Sequence, residues 1–135
     1  MTIAVDTSAL IAIMGAEPDA GELVDIFGTS PAALISAATL FEAHCVACRS
    51  GGAVNADELQ VLVNSLELTV IPFDLGQLEV ARLAYSRYGR GSHHRAALNM
   101  GDCFAYALAK TRNLPLLFKG DDFNHTDIQP ALKLA

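Results

Sequence analysis

The chain has 135 residues, 52% of them hydrophobic, and a formal net charge of -6 at pH 7. This length and composition exclude a disordered chain and predict a single domain over residues 1–135. The acidic balance argues against a protein that coats nucleic acid with a basic surface. The first residues form no basic and apolar leader, no apolar stretch is long enough to span a membrane, and the cysteines are odd in number. We therefore expect a cytoplasmic protein with reduced thiols and no membrane segment.

Short apolar runs alternate with amphipathic segments along the chain. The runs at residues 2–5, 32–36, 68–72 and 115–118 predict strands. The segments between them predict helices. The first helix is capped by Thr7 or Ser8, and the second runs from Pro18 to Gly28. The third helix is capped by Ser36 or Thr39 and stops at residues 50–52. The other helices cover residues 55–66, the segment from the cap Asp74 to Tyr88, and residues 101–111. This alternation predicts an α/β fold, with a parallel sheet between two layers of helices.

Acidic residues stand where predicted strands pass into helices: Asp6, Glu42, Asp102 and Asp122. In a parallel sheet these positions share the edge formed by the carboxyl ends of the strands, where ligands bind. Two carboxylates about 5 Å apart repel by roughly 3 kcal/mol at an effective dielectric of about 20. Mg²⁺ or Mn²⁺, which prefer oxygen ligands, would remove that cost. Each acid taken alone could instead be a helix cap, a turn residue or a salt-bridge partner.

Hydrolysis of a phosphodiester is the chemistry that such a cluster favours. A bound metal ion activates water and stabilises the charge that develops on phosphate. No Ser, Cys or His triad stands beside these acids to supply another nucleophile. At the fourth position Asp121 and Asp122 compete, and one of them is expected to be a turn residue.

Four segments carry a resemblance to a known family: AVDTSALIAI, LFEAHCV, LNMGDCFAYALAK and LLFKGDDFNHTDI. They resemble the PIN-domain ribonucleases and, more narrowly, the VapC toxins of bacterial type II toxin–antitoxin pairs. The resemblance covers nearly the whole chain and implies a PIN-like three-layer α/β/α fold around a mostly parallel sheet. It also implies an endoribonuclease that depends on Mg²⁺ or Mn²⁺, forms a homodimer and is inhibited by a cognate VapB-type antitoxin.

The resemblance also assigns roles to the acids. The family's acidic positions map onto Asp6, Glu42, Asp102 and the acid before Phe123, which ranks Asp122 above Asp121. We expect Asp6, Asp102 and Asp122 to bind the cation directly or through water. Glu42 is expected to bind a second, weaker ion or to orient the attacking water.

Three hydroxyl residues are candidates for a supporting role. Thr7 and Ser8 match small hydroxyl positions of the family. Thr126 either supports the metal site or holds the final loop through a local bond from its side chain to the backbone.

Positive charge concentrates in one part of the acidic chain, in Arg82, Arg87, Arg90, His93, His94 and Arg95. One interpretation is a rim that contacts RNA phosphates beside the metal site, with Arg90, His93, His94 and Arg95 as the residues that bind RNA. The other is a solvated helix face followed by a mobile loop.

Cys45 and Cys48 form a C-x-x-C pair beside His44. A zinc site needs further ligands at matching spacing, and a redox motif would stand at the start of a helix. We therefore expect these cysteines to be buried on a helix face.

Two other functions are compatible with the same residues. One is a non-catalytic PIN protein that works by binding a partner, and intact acids argue against it. The other is a metal-dependent phosphatase that acts on small molecules. Cleavage of RNA by the purified protein would discriminate between these functions and a ribonuclease.

Overall fold

A parallel sheet of four strands forms the centre of the molecule. The computed structural model describes residues 1–133, without the side chains of residues 50–54. The strands are β1 (Ile3–Val5), β2 (Ala33–Ser36), β3 (Thr69–Ile71) and β4 (Leu116–Leu117), in the order β3-β2-β1-β4. All neighbouring pairs are parallel, so their carboxyl ends meet at one edge. That edge begins at Asp6, whose backbone N–H donates to the carbonyl oxygen of Leu117 at 2.9 Å.

Helices and short 3-10 turns connect the strands. The helices of the described chain are α1 (Thr7–Met14), α2 (Ala20–Thr29), α3 (Ala37–Ser65), α4 (Leu75–Tyr88) and α5 (Met100–Arg112), and the turns are Arg90–Ser92 and Asp122–His125. None of the described helices has both the length and the apolar character that crossing a lipid bilayer requires.

The core is divided by the sheet into two clusters. Ile3 and Val5 of β1 pack with buried residues of α1, α2 and α3 on one face. Ala4, between them, belongs to the cluster on the other face, which α4 and α5 cover. This alternation follows from the period of two in a strand. It confirms the predicted layers of helices on both sides of a parallel sheet.

The structure corrects the predicted break near residues 50–54. The sequence suggests one helix that stops there and another over 55–66, but α3 continues from Ala37 to Ser65. Glycine in a helix costs about 1 kcal/mol relative to alanine. Here the two ends of α3 both pack in the same apolar cluster, through Ala43 and Ala47 at one end and Leu59 and Val63 at the other. Tertiary packing therefore overrides the local stop signal.

The predicted caps of the early helices are also partly wrong. The side chain of Asp6, rather than Thr7 or Ser8, caps α1 by accepting from the backbone N–H of Ser8. The two hydroxyl residues lie within the first turn, where their side chains reach other elements. The cap of α3 is Ser36, one of the two residues predicted for that role.

Candidate metal centre

Asp6 is buried at the end of β1, and only one of its carboxyl oxygens has a hydrogen-bond partner. Its Oδ2 accepts from the backbone N–H of Ser8 at 3.1 Å and from the Ser8 hydroxyl at 2.6 Å. Its Oδ1 is buried and has no hydrogen-bond partner, and the residue as a whole is only 3% exposed. Buried polar atoms are normally paired. The free oxygen is therefore a candidate ligand atom.

The environment of Asp6 disfavours its negative charge. Burial raises the pKa of Asp6 from 3.8 to about 7, against the hydrogen bonds from Ser8, which lower it. The charges of Asp102 and Glu42 raise the pKa further. The acids of α3 and α5 therefore act on the acid of β1, as expected for positions that share one edge of the sheet.

Glu42 reaches this edge from the second turn of α3. Its Oε1 lies 2.6 Å from the hydroxyl of Thr7, which donates to it. The Thr7 hydroxyl also lies 3.2 Å from the carbonyl oxygen of Thr39. Thr7 and Thr39 are buried, and Glu42 is half-buried. The start of α1 thus fixes the position of a carboxylate from α3.

Asp102 is anchored in the first turn of α5 by a capping box. Its Oδ2 accepts from the backbone N–H of Asn99 at 3.0 Å, and its own N–H donates to Asn99 Oδ1 at 2.8 Å. Burial raises the pKa of Asp102 to about 6, with the charges of Asp122 and Glu42 also raising it. The backbone hydrogen bond from Asn99 and the charge of Arg90 lower it. The charge of Asp122 therefore acts on Asp102, which in turn interacts with Asp6 and Glu42.

Asp121 and Asp122 have different surroundings although they are adjacent. The Asp121 carboxylate accepts from Asn124 Nδ2 at 3.1 Å and pairs with His125 Nε2 at 2.7 Å. These partners lower the pKa of Asp121. Asp122 opens the 3-10 turn, and its charge acts on Asp102. This arrangement supports the ranking of Asp122 above Asp121, which stays a prediction for metal binding.

The residues present fit a hard divalent cation in an open site. In the part of the chain that the structure describes, no three Asp, Glu, His or Cys side chains are already arranged to hold a metal ion. Magnesium does not require such a cage, because it usually keeps several waters and binds through one or two carboxylates. The unpaired buried oxygen of Asp6 and the other carboxylates near it provide oxygen ligands of that kind.

The two arginines of the loop before α5 lie close enough to influence the acids. The charge of Arg90 lowers the pKa of Asp102, and the charge of Arg95 lowers the pKa of Asp121. Both arginines are exposed, and Nε of Arg90 also donates to the carbonyl oxygen of Ala97 at 3.4 Å. Their predicted role in RNA binding stays a prediction.

The two histidines of this loop differ from each other. His93 is exposed and adopts a left-handed backbone conformation, with φ of 60°. His94 accepts from the backbone N–H of Ala96 at 3.0 Å, and its ring packs edge-on against Tyr88 at 5.0 Å. His94 therefore makes structural contacts within the loop, and the role of both histidines in RNA binding stays a prediction.

The hydroxyl groups of Ser8 and Thr126 make supporting contacts. Ser8 links distant parts of the chain, and Thr126 holds the last loop. The Ser8 hydroxyl accepts from the backbone N–H of Lys119 at 2.9 Å, so the segment that follows β4 holds the residue that orients Asp6. Sequence reasoning missed this contact, because it joins residues 111 positions apart. The Thr126 hydroxyl donates to the carbonyl oxygen of Phe123 and accepts from the N–H of Ile128. Thr126 thus makes the predicted local bond.

The prediction of buried helix-face cysteines is wrong for Cys48. This residue is exposed, and its Sγ lies 3.5 Å from Nε2 of His44, one turn earlier in α3. Cys45 is half-buried. A long helix that passes over the surface exposes part of its circumference, and Cys48 falls on that part.

Comparison with known proteins identifies the family. The PIN domain model matches residues 3–129. A protein named Ribonuclease VapC from Mycolicibacterium smegmatis is 44% identical over 124 residues, which cover 92% of this chain and 95% of that protein. This chain belongs to the VapC group of the PIN-domain family. The resemblance noted in the four sequence segments is thereby confirmed.

Solved VapC structures share the fold of this VapC-family chain. VapC20 of Mycobacterium tuberculosis, described as a sarcin-ricin loop cleaving toxin, gives a TM-score of 0.76 at 19% identity, over 93% of this chain and 95% of that chain. VapBC2 of Rickettsia felis, bound to a DNA fragment from its promoter, gives 0.75 at 14% identity, over 96% of each chain. At these identities the likeness shows the fold alone, and it confirms the predicted PIN-like α/β/α architecture.

Proposed function

We propose that this chain is a magnesium-dependent endoribonuclease and the toxin of a VapBC-type pair. The observation that carries the proposal is the buried carboxylate of Asp6, which keeps one oxygen unpaired and lies among the charges of Glu42 and Asp102. A cation is the partner that this arrangement lacks. The name Ribonuclease VapC of the relative that is 44% identical supports the same reaction.

The cation would be held by Asp6, Asp102 and Asp122, directly or through water. Mg²⁺ is the ion we propose, and Mn²⁺ would serve in its place. When bound, the ion would lower the pKa of water and offset negative charge on the phosphate. Glu42 would bind a second, weaker ion or orient the attacking water.

Three of the carboxylates are each anchored by a neighbouring group through one oxygen. Ser8 holds Oδ2 of Asp6, Thr7 holds Oε1 of Glu42, and the N–H of Asn99 holds Oδ2 of Asp102. Anchoring one oxygen fixes the direction of the other before substrate arrives. Such preorganisation reduces the reorganisation needed during the reaction.

The exposed arginines beside the acids would bind the RNA backbone. Arg90 and Arg95 lie close enough to act on Asp102 and Asp121, so a phosphate held by them would lie near the carboxylates. Guanidinium groups bind phosphate oxygens through paired hydrogen bonds. His93, exposed in the same loop, would add a further contact.

The proposed partners are a cognate VapB-type antitoxin and a second copy of this chain. The fold is shared with a chain of the VapBC2 structure from Rickettsia felis, which supports an antitoxin partner. The antitoxin would inhibit cleavage by covering the acidic edge, and the active toxin would be a homodimer.

The decisive experiment is to map the 5′ ends of RNA cut by the protein purified free of antitoxin. We expect discrete ends in Mg²⁺, none in excess EDTA, and ends that form at least about 100-fold more slowly with Asp6→Asn. Cleavage that persists in EDTA would overturn the metal mechanism. No cleavage of any RNA would favour a non-catalytic binding protein, and turnover of a phosphomonoester without RNA cleavage would favour a phosphatase.

A further inference from the structure

The second residue of α5 leaves space for the carboxyl group of Glu42. Gly101 is buried, and a Cβ atom built on it would overlap Oε2 and the carboxyl carbon of Glu42 and lie 2.7 Å from Oε1. The overlap involves the end of a flexible side chain rather than backbone. Adding a methyl group here would therefore displace the carboxylate and leave the course of α3 and α5 unchanged.

The backbone provides no other reason for glycine at this position. Gly101 lies within α5 and has ordinary helical geometry, in contrast to Gly120, whose φ is 106°. Alanine stabilises a helix relative to glycine, because glycine loses more conformational freedom on folding. The advantage of glycine at position 101 is thus the room that it leaves for Glu42.

The same carboxyl group is also held by α1. Thr7 donates to Oε1 of Glu42 at 2.6 Å, and Thr7 is itself buried. The carboxylate therefore lies against both the first turn of α1 and the first turn of α5, which also carries Asp102. A displaced Glu42 would lose the hydrogen bond from Thr7 and move relative to both neighbouring acids.

We propose that Gly101 is a positioning residue, which admits the carboxylate of Glu42 to the first turn of α5 and so fixes it beside Asp6 and Asp102. The proposal rests on the proposed function, because the position of Glu42 matters through the cation and the RNA. In either role of Glu42, its negative charge at this place strengthens binding of a divalent cation.

The test compares Gly101→Ala, Glu42→Ala and the double variant with the unaltered chain. Gly21→Ala is the matched control, because Gly21 is likewise the second residue of a helix, α2, and a Cβ there meets nothing within 4 Å. Mn²⁺ affinity by titration calorimetry, RNA cleavage and the thermal midpoint are measured for each protein.

We expect Gly101→Ala to weaken Mn²⁺ binding and cleavage by at least about threefold and at most about as much as Glu42→Ala, roughly 10- to 100-fold. In the Glu42→Ala background the same change should alter Mn²⁺ affinity and cleavage by less than about 1.5-fold, because the displaced group is absent. Gly21→Ala should alter neither property.

The proposal would be overturned if Gly101→Ala reduced Mn²⁺ affinity and cleavage equally in the unaltered chain and in Glu42→Ala. It would also be overturned if Glu42→Ala itself left Mn²⁺ affinity and cleavage unaltered. If Gly101→Ala does not fold, the double variant must fold, and its failure would overturn the proposal too. A chain that binds Mn²⁺ but cleaves no RNA refutes the proposed function alone, since Mn²⁺ affinity still reports on Gly101. A chain that binds no Mn²⁺ overturns both.

Discussion

The acidic edge of the sheet and the basic loop before α5 lie side by side, but they are built differently. At the acidic edge, Asp6 is buried and its orientation is fixed by Ser8, which is itself held by the backbone of Lys119 just after β4. In the loop, the guanidinium groups of Arg90 and Arg95 are exposed. Under the proposed function, this difference places the chemistry at buried carboxylates and the contacts with substrate in an exposed loop. Substitutions at the edge should change kcat, and substitutions in the loop should change KM.

The largest effect is expected from Asp6→Asn. Asparagine keeps an oxygen that can accept from Ser8 but loses the negative charge through which Asp6 is proposed to bind the cation. Loss of about 3–4 kcal/mol of transition-state stabilisation corresponds to roughly 10²- to 10³-fold slower cleavage. Single-turnover cleavage of RNA in saturating Mg²⁺ measures it.

Asp121→Asn is the matched control for Asp6→Asn. The Asp121 carboxylate is exposed and paired with Asn124 and His125 in its own turn. Cleavage should therefore fall by less than about threefold. A loss comparable with that of Asp6→Asn would contradict the ranking of Asp122 above Asp121.

Stability of the metal-free protein should fall as pH rises. The pKa values of Asp6 and Asp102 are raised from 3.8 to about 7 and about 6, so folding favours their protonated forms. Their contribution is complete below about pH 4 and is lost as pH rises through these folded values. For Asp6 alone the full loss is about 4 kcal/mol, of which roughly 2.5 kcal/mol falls between pH 5 and 8. Urea unfolding in EDTA between pH 5 and 8 measures it.

Two variations isolate this effect from other titrating groups. Asp6→Asn should remove the larger part of the dependence of stability on pH between pH 5 and 8 and leave the part due to Asp102. Mg²⁺ at pH 8 should restore stability to the unaltered chain. The lowered pKa values of Asp121 and Asp127 act in the opposite direction, with stability lost as pH falls, and mainly below pH 5. If the free energy of unfolding of Asp6→Asn depends on pH as it does in the unaltered chain, Asp6 is not the source of the dependence.

A smaller effect is expected in the loop. Arg95→Ala should raise KM for RNA about fivefold, leave kcat within about twofold, and reduce the salt dependence of binding by about one phosphate contact. Arg90→Ala should have the same effects on KM, kcat and salt dependence. It should also shift the acid side of the pH dependence of cleavage to higher pH, because Arg90 lowers the pKa of Asp102.

Arg82→Ala is the control for both loop arginines. Arg82 pairs with Glu79 at 2.7 Å on the exposed face of α4. Its removal should leave KM and the salt dependence unchanged. A fall in kcat, with KM unchanged, for Arg90→Ala or Arg95→Ala would break the division between edge and loop.

The smallest effect is expected from Cys48→Ser, which provides a baseline away from both regions. Cys48 is exposed, so the free energy of unfolding should change by less than about 0.5 kcal/mol and cleavage should not change.

Cys103 is 4% exposed and lies in the core, so Cys103→Ser should cost about 1–3 kcal/mol by burying a hydroxyl. Chemical denaturation of the two variants compares them.

Local patterns were sufficient for the strands and for the edge that gathers the acids. Each predicted strand overlaps an observed one, because short apolar runs have few alternatives in a covered sheet. The break near residues 50–54 was predicted wrongly, since glycine is a local signal and the packing of both ends of α3 is not. The exposure of Cys48 was missed for the same reason, because it depends on how α3 lies against the sheet.

The sequence by itself determined a parallel α/β fold and the convergence of Asp6, Glu42, Asp102 and Asp122, because parallel strands bring their carboxyl ends to one edge. Only the tertiary structure decided how each acid is held. The bonds from Thr7 to Glu42 and from Lys119 to Ser8 join residues 35 and 111 positions apart. Such contacts, and the space that Gly101 leaves for Glu42, depend on how helices pack, which no local pattern encodes.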